Sequence, residues 1–229
     1  MLKNNLSPAD KPRSFTGIRM LRHKLIRLLE QPTLIKDKMN GIIPWHSRSC
    51  LLAKEFLNEQ PRTLIDIGSN KGDFSKAAKF YFPDIKIYQF DLNNNTGLWN
   101  KNTKVKFYKS SDEPMQSTLF EPKHFKPEVA VETLVKRFDS LNIPIERPCF
   151  VKIDVEGAEY EVLEGFGDRL NEVDILQIEE VFSDFFKNRV KLSRIMDLLE
   201  KHNFRGFQQI NITVEEDNKL EKCDLIFFK

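Results

Sequence analysis

The sequence predicts an α/β fold: a mostly parallel central sheet covered on both faces, with an antiparallel strand pair at the C-terminal end. Three observations carry this. Short apolar runs of strand length alternate with stretches of helical period. The first clear strand, Thr63-Leu64-Ile65-Asp66-Ile67, runs into a glycine loop and then a helix. About 20 residues later a second strand, 86–90, ends on Asp91, the spacing at which sheets of this class place a ribose partner.

The elements follow in order. Residues 1–16 are polar, contain Pro8 and Pro12, and lack a core pattern. Residues 18–30 read as a basic amphipathic helix. Ile18, Leu21, Leu25 and Leu28 share one face, and Arg19, Arg22 and Arg27 lie largely away from it. Two readings of that helix stay open, packing on the domain or a second subunit and docking on an anionic membrane surface. Pro32 is expected to help stop it, and a lead-in helix is expected over 47–58. After the glycine loop the pattern gives a helix over 74–82, the strand 86–90 and a strand near 105–108. Residues 110–128 read as loop with an apolar interruption at Leu119-Phe120. Strands are expected at 129–135, 150–155 and 175–179, and helices at 158–163 and 192–201. Two final strands, 204–212 and 224–228, suit an antiparallel pair. The expected organisation is an N-terminal extension, 1–60, and one domain, 61–229.

Composition narrows the function classes. The chain has 229 residues, enough for a substantial core, with 40% hydrophobic and 31% charged residues. A net charge of +2 is too small to argue for nucleic acid. Positive charge is concentrated in residues 1–40, with nine Lys/Arg against three Asp/Glu. No apolar run approaches the roughly 18 residues needed to span a bilayer, and the start lacks a signal-peptide core. Cys50, Cys149 and Cys223 are widely spaced and odd in number, which suits neither a disulfide framework nor a zinc ribbon. A cytoplasmic location is the expectation.

The loop reads Asp-x-Gly-x-x-x-Gly, from Asp66 to Gly72. It lacks the Gly-x-Gly-x-x-Gly spacing that seats a dinucleotide pyrophosphate, which argues against an NAD-dependent oxidoreductase. S-adenosylmethionine (SAM) has no pyrophosphate. Its amino-acid end needs backbone at close range, which Gly68 and Gly72 allow. Asp66 can accept from the ligand ammonium, directly or through water.

A second constellation is Phe150-Val151-Lys152-Ile153-Asp154-Val155-Glu156-Gly157-Ala158-Glu159. Along a strand Lys152 and Asp154 share a face, and Glu156 joins them if the strand continues. Charged groups at the carboxyl end of a central strand are costly unless paired or functional, and ligands bind at that edge in open α/β sheets. Two readings stand: a structural Lys152–Asp154 ion pair, or Asp154 beside a methyl donor, orienting an acceptor hydroxyl or taking its proton.

The stretches LIDIGSNKGDFS and VKIDVEGAEYEVLEGF, in this order and spacing, resemble the FkbM family of SAM-dependent methyltransferases. The resemblance covers roughly residues 62–182 and includes Ser110-Ser111-Asp112, Ser117-Thr118-Leu119, the segment 135–141 and Ile178-Glu179-Glu180. Ser69 stands where the family often has alanine, and Phe138 where leucine is usual. The resemblance implies a Rossmann-like methyltransferase with SAM as donor and most often a hydroxyl acceptor, on sugars, polysaccharide building blocks or secondary metabolites. It implies that Asp66, Gly68, Ser69, Asn70 and Gly72 line the methionine end. Asp91 and Leu92 would hold ribose and flank adenine, and Ser111 and Asp112 would reach the adenine edge. Asp154 and Glu156 would sit nearest the transferred methyl, with Lys152 beside them.

Other candidates are weaker. His46 precedes the domain and either covers the site or packs at the surface; His124 lies in a loop, and His23 and His202 in solvated helical positions. Trp45 and Trp99 either stack on a ligand or pack. Asp154, Glu179 and Glu180 could offer oxygens to a magnesium-type ion, but no His-rich or Asp-x-Asp cluster supports a metal, and none is expected. The leading function is O-methylation of a small-molecule or glycan acceptor. N-methylation and a non-catalytic SAM-binding regulator or partner subunit are the alternatives.

Overall fold

The computed structural model describes residues 32–94, 96–109, 118–120, 129–182, 189–214 and 219–229. The basic helix expected over 18–30, with His23, lies outside these residues, as do Ser110, Ser111, Asp112 and His124. The chain forms two compact units, Met1–Gly41 and Ile42–Lys229. In the first, α1 (Pro32–Met39) opens on the proline that the sequence reading has closing a helix. Proline suits a first helical turn, where its missing N–H has no partner to lose.

In the second unit, α2 (Pro44–Phe56) again carries a proline at its start, three residues before the expected one. Then follow β1 (Thr63–Ile67), α3 (Asp73–Tyr81), β2 (Lys86–Phe90), β3 (Gly97–Leu98), β4 (Thr103–Lys109) and β5 (Val129–Lys136). The remainder is β6 (Cys149–Ile153), α4 (Glu159–Phe166), β7 (Ile175–Val181), α5 (Leu192–Lys201), β8 (Gly206–Val214) and β9 (Leu220–Phe228). The central sheet has the order β2-β1-β6-β7-β9-β8. The first four strands run parallel, and β9 pairs antiparallel with both β7 and β8. This is the expected Rossmann-like arrangement, a mostly parallel sheet with an antiparallel strand pair at the C-terminal end. A separate three-stranded sheet, β3-β5-β4, was not foreseen.

β1 and β6 are buried along their whole length, as parallel strands covered on both faces must be. Leu64, Phe150, Ile175 and Ile226 form one core with Cys50 and Ala53 of α2 and Phe74, Ala77 and Ala78 of α3. Ile65, Val151, Ile153 and Ile178 form the other with Val162, Leu163 and Phe166 of α4 and Ile195 and Leu199 of α5. Each fully buried Leu, Ile or Phe contributes about 1.5–3 kcal/mol. All three cysteines are buried free thiols. Among the described residues, no helix is long and apolar enough to cross a membrane.

The open end of the sheet is locked through backbone. Gly68 and Ser69 N–H groups donate to the Phe90 carbonyl (2.8 and 3.2 Å), and the Asp154 N–H donates to the Ile67 carbonyl (3.0 Å). Gly68 has φ +73°, and a Cβ there would stand 1.7 Å from the Asp154 carbonyl oxygen. Substitution of Gly68 by alanine is therefore expected to cost about 3 kcal/mol or more. Thermal unfolding read by circular dichroism checks this, and an unchanged midpoint would refute the contact.

Candidate active site

A cleft of about 780 Å³, partly open to solvent, lies across the carboxyl ends of β1, β2, β6 and β7, where ligands bind in open α/β sheets. One half is lined by Gly68 and Asn70 of the glycine loop and by Asp91 and Leu92 after β2. Leu98, Phe107 and Leu119 of the small sheet and its neighbour wall it. The other half is lined by Asp154, Glu156, Glu179 and Lys222.

The first half fits an adenosyl ligand with an amino-acid end. Asp91 Oδ2 accepts from the Asn70 N–H and Oδ1 from the Asn93 N–H, both at 2.8 Å. A carboxylate has further lone pairs, so two hydroxyls can still be accepted. Gly72 (φ +77°) starts α3, and a Cβ there would meet Gln89 Nε2 at 2.8 Å. Ser69 is buried, and its carbonyl accepts from the Gly72 N–H at 2.7 Å. Ser69 and Gly72 thus shape the loop from behind.

Asp66 takes a different place from the one expected. It is fully buried below the cleft, with Oδ2 accepting from Ser75 Oγ at 2.6 Å. Burial raises its carboxyl above the usual range, with Lys152 and Ser75 opposing. Lys152 is equally buried; its Nζ lies 2.9 Å from Asp154 Oδ2 and 3.9 Å from Asp66 Oδ1, and donates to the Gly68 carbonyl at 3.3 Å. Burial pulls the ammonium down, but Asp154 and Asp66 together outweigh it and hold it above its ordinary range. The Lys152–Asp154 ion pair is therefore real, and Asp154 faces the cleft as well.

The strand does not continue to Glu156. β6 ends at Ile153, and the chain turns left-handed at Glu156 (φ +53°) and Gly157 (φ +104°). Two bonds hold this turn. Thr118 Oγ1 donates to the Glu156 carbonyl at 2.6 Å, and the Gly157 N–H donates to Glu159 Oε1 at 3.0 Å. The turn aims the Glu156 carboxylate at Asp154 and Glu179, and oxygens of the three lie within 4.8 Å of one another. Lys222 Nζ is 2.8 Å from Glu179 Oε1. Burial, then the Asp154 charge, raises both the Glu156 and the Glu179 carboxyls; Lys222 opposes in each case. The spacing alone would admit a divalent cation, but lysines already hold two of the three carboxylates. Glu180 is not part of the cluster: it alternates to the opposite face, where Arg189 pairs with it.

His46, on α2, sets its ring edge-on to Phe74, 5.5 Å between centroids. Lys152 Nζ lies 5.9 Å from the centroid of the same Phe74 ring. Burial and then Lys152 push the imidazole down to about 4, so it is neutral at pH 7. Trp45 is exposed, and Trp99 packs on Phe120 at 5.9 Å; neither lines the cleft. Sequence reasoning missed Lys222 and Thr118 as site residues. Lys222 sits in an ordinary alternating strand with no local signal, whereas Ser117-Thr118-Leu119 was visible only as part of a family pattern.

A family model, the methyltransferase FkbM domain, matches residues 55–205. The chain belongs to the FkbM methyltransferase family. This FkbM domain uses SAM as its methyl donor. A comparison with curated proteins gave no match. Among solved structures it is similar to a precorrin-6y C5,15-methyltransferase from Geobacter metallireducens GS-15, at 12% identity and TM-score 0.40, covering 78% of this chain and 85% of that one. It is also similar to EvdMO1, at 10% identity and TM-score 0.41, covering 80% of this chain and 40% of that one. Human N-acetylserotonin methyltransferase in complex with SAM shows 15% identity and TM-score 0.36, covering 80% and 51%. The chain thus spans about half or less of the latter two proteins.

The left-handed Glu156 makes the site a reservoir of strain. A non-glycine residue there costs about 1–2 kcal/mol. Glu156→Gly is expected to stabilise the fold by about 1 kcal/mol, raising the calorimetric melting temperature, while turnover falls. A lower melting temperature would show that the turn is unstrained.

Proposed function

We propose that this FkbM domain transfers the methyl group of SAM to a hydroxyl of a sugar, glycan precursor or similar hydroxyl-rich metabolite. The observation that supports it best is the carboxylate cluster Asp154, Glu156 and Glu179, at the end of the cleft beyond the donor half. SAM, when bound, supplies a methyl group on a positively charged sulfur, already activated for displacement. The remaining work falls to the protein. Gly68 and Asn70 would offer backbone to the methionine end, and Asp91 and Leu92 would hold ribose and adenine. Lys152 and Asp66 fix Asp154 from below, so Lys152 acts through Asp154. The carboxylates accept hydrogen bonds from the acceptor hydroxyls, which aligns the attacking oxygen, and one of them takes the proton. Alignment is the larger contribution; a positioned base adds roughly 10²–10⁴-fold.

N-methylation fits this cluster less well. Carboxylates this close stabilise an amine in its protonated form, which has no lone pair for attack. A SAM-binding subunit without catalysis fits poorly too, since clustered, desolvated carboxylates would cost stability and return nothing.

Calorimetric titration with S-adenosylhomocysteine is expected to give micromolar binding, with none for NAD. Transfer from radiolabelled SAM is then compared on a panel of glycosides and their amino analogues. Label on the amines alone would reverse the reading. Asp154→Ala is expected to keep donor binding while turnover falls by more than about tenfold; unchanged turnover would remove Asp154 from the reaction.

The pH profile has a definite sign. A carboxyl base works only when deprotonated, and the Glu156 and Glu179 carboxyls are raised. The rate should therefore climb with pH beyond the ordinary carboxylate range of about 4.3, and be lost as pH falls through the raised values. Lys222→Met removes the opposing cation and should move the rising limb to higher pH. A rate independent of pH between about 5 and 8 would exclude these groups as the base.

A further inference from the structure

We propose that Thr118 is a positioning residue that couples the donor half of the cleft to the carboxylate end, so that donor binding orders the Glu156 turn. The inference rests on the donor reading above. Thr118 is 1% exposed and stands where three parts of the protein meet. Its backbone pairs with Tyr108 at the end of β4, through Tyr108 N–H to Thr118 carbonyl (2.9 Å) and Thr118 N–H to Tyr108 carbonyl (3.0 Å). Its hydroxyl donates to the Glu156 carbonyl at 2.6 Å and accepts from the Phe120 N–H at 3.1 Å. The next residue, Leu119, lines the cleft beside Phe107 and Leu98.

This arrangement has mechanical content. Glu156 occupies a backbone conformation that it would leave if unsupported. One of the two bonds holding the turn comes from within it, from Glu159 to the Gly157 N–H; the other comes from the donor wall, through Thr118. A ligand that packs on Leu119 fixes Thr118, and a fixed Thr118 removes freedom from the Glu156 carbonyl. Ordering one site then lowers the entropy cost of using the next, which is a coupling free energy between the two halves. The carboxylate would thus be held in place when the donor is present and looser when it is absent, favouring donor before acceptor. Phe120 anchors the same short segment on Trp99, whose carbonyl lies against Gly165 of α4, 2.2 Å from where a Cβ would be.

The test needs no acceptor. Hydrogen–deuterium exchange of the full chain is followed with and without saturating S-adenosylhomocysteine. In the wild type, exchange should slow by roughly fivefold or more both in the loop 66–72 and in the turn 156–158. In Thr118→Val, which keeps the shape but not the hydroxyl, the slowing should persist at 66–72 and vanish at 156–158; Thr118→Ser should restore it. A merely structural threonine would change the resting exchange of the turn but not its response to the ligand. Should the valine variant fail to fold, Leu119→Ala decides, because it keeps the hydroxyl bond and trims the donor wall; its turn should respond less. A full response at 156–158 in either variant, or none there in the wild type, would overturn the coupling. No response at 66–72 in the wild type would instead sink the donor reading itself.

Discussion

A single buried ammonium holds the open end of the sheet in register. Lys152 lies between Asp66 and Asp154 and also reaches the Gly68 carbonyl. It thereby ties β1, the glycine loop and the exit of β6 to one point charge. Desolvating it is expensive, and only the two carboxylates make it tolerable. Without Lys152 the buried Asp66 loses its cation, whereas without Asp154 the lysine keeps Asp66 as its partner. The glycine loop and Asp154 are in this sense one object, and the carboxylate that faces the cleft cannot be understood without the lysine beneath it.

The second lysine acts on the solvent side. Lys222 holds Glu179, while Lys152 holds Asp154; among the described residues no lysine is paired directly with Glu156, although the Lys222 charge still acts on it. Burial and the neighbouring Asp154 charge hold the Glu156 and Glu179 carboxyls above the ordinary range, with Lys222 opposing. Lys222 on β9 and His46 on α2 both lie beyond the segment 55–205 matched by the family model. The charged end of the cleft is therefore completed, through Lys222, by a strand that lies beyond the matched segment.

What could be read in the sequence was local. The glycine loop, Asp91 and the Lys-x-Asp-x-Glu-Gly string declare themselves because each is a short run with its own geometry, and the parallel strands show because both faces are apolar. Other features depend on partners distant in the chain. β3 is only two residues long, and its pairing with β5, nearly forty residues on, leaves no periodic trace. The depth of Asp66 depends on Ser75 and Lys152 closing over it. The end of β6 at Ile153 comes from the left-handed turn that follows, which no alternation pattern announces. Pro32 is read from the sequence as a stop, whereas the helix Pro32–Met39 begins on it.

The close approach of Gly68 to the Asp154 carbonyl bears on how such an enzyme can change over time. The two motifs touch through main-chain atoms, so neither can shift to suit a new acceptor without dislodging the other. Room for adaptation is left at the periphery, in the hairpin that carries Lys222, the small sheet that walls the donor half, and the helix that carries His46. On the proposed reading, a change of acceptor would be met at these margins while the centre stays fixed.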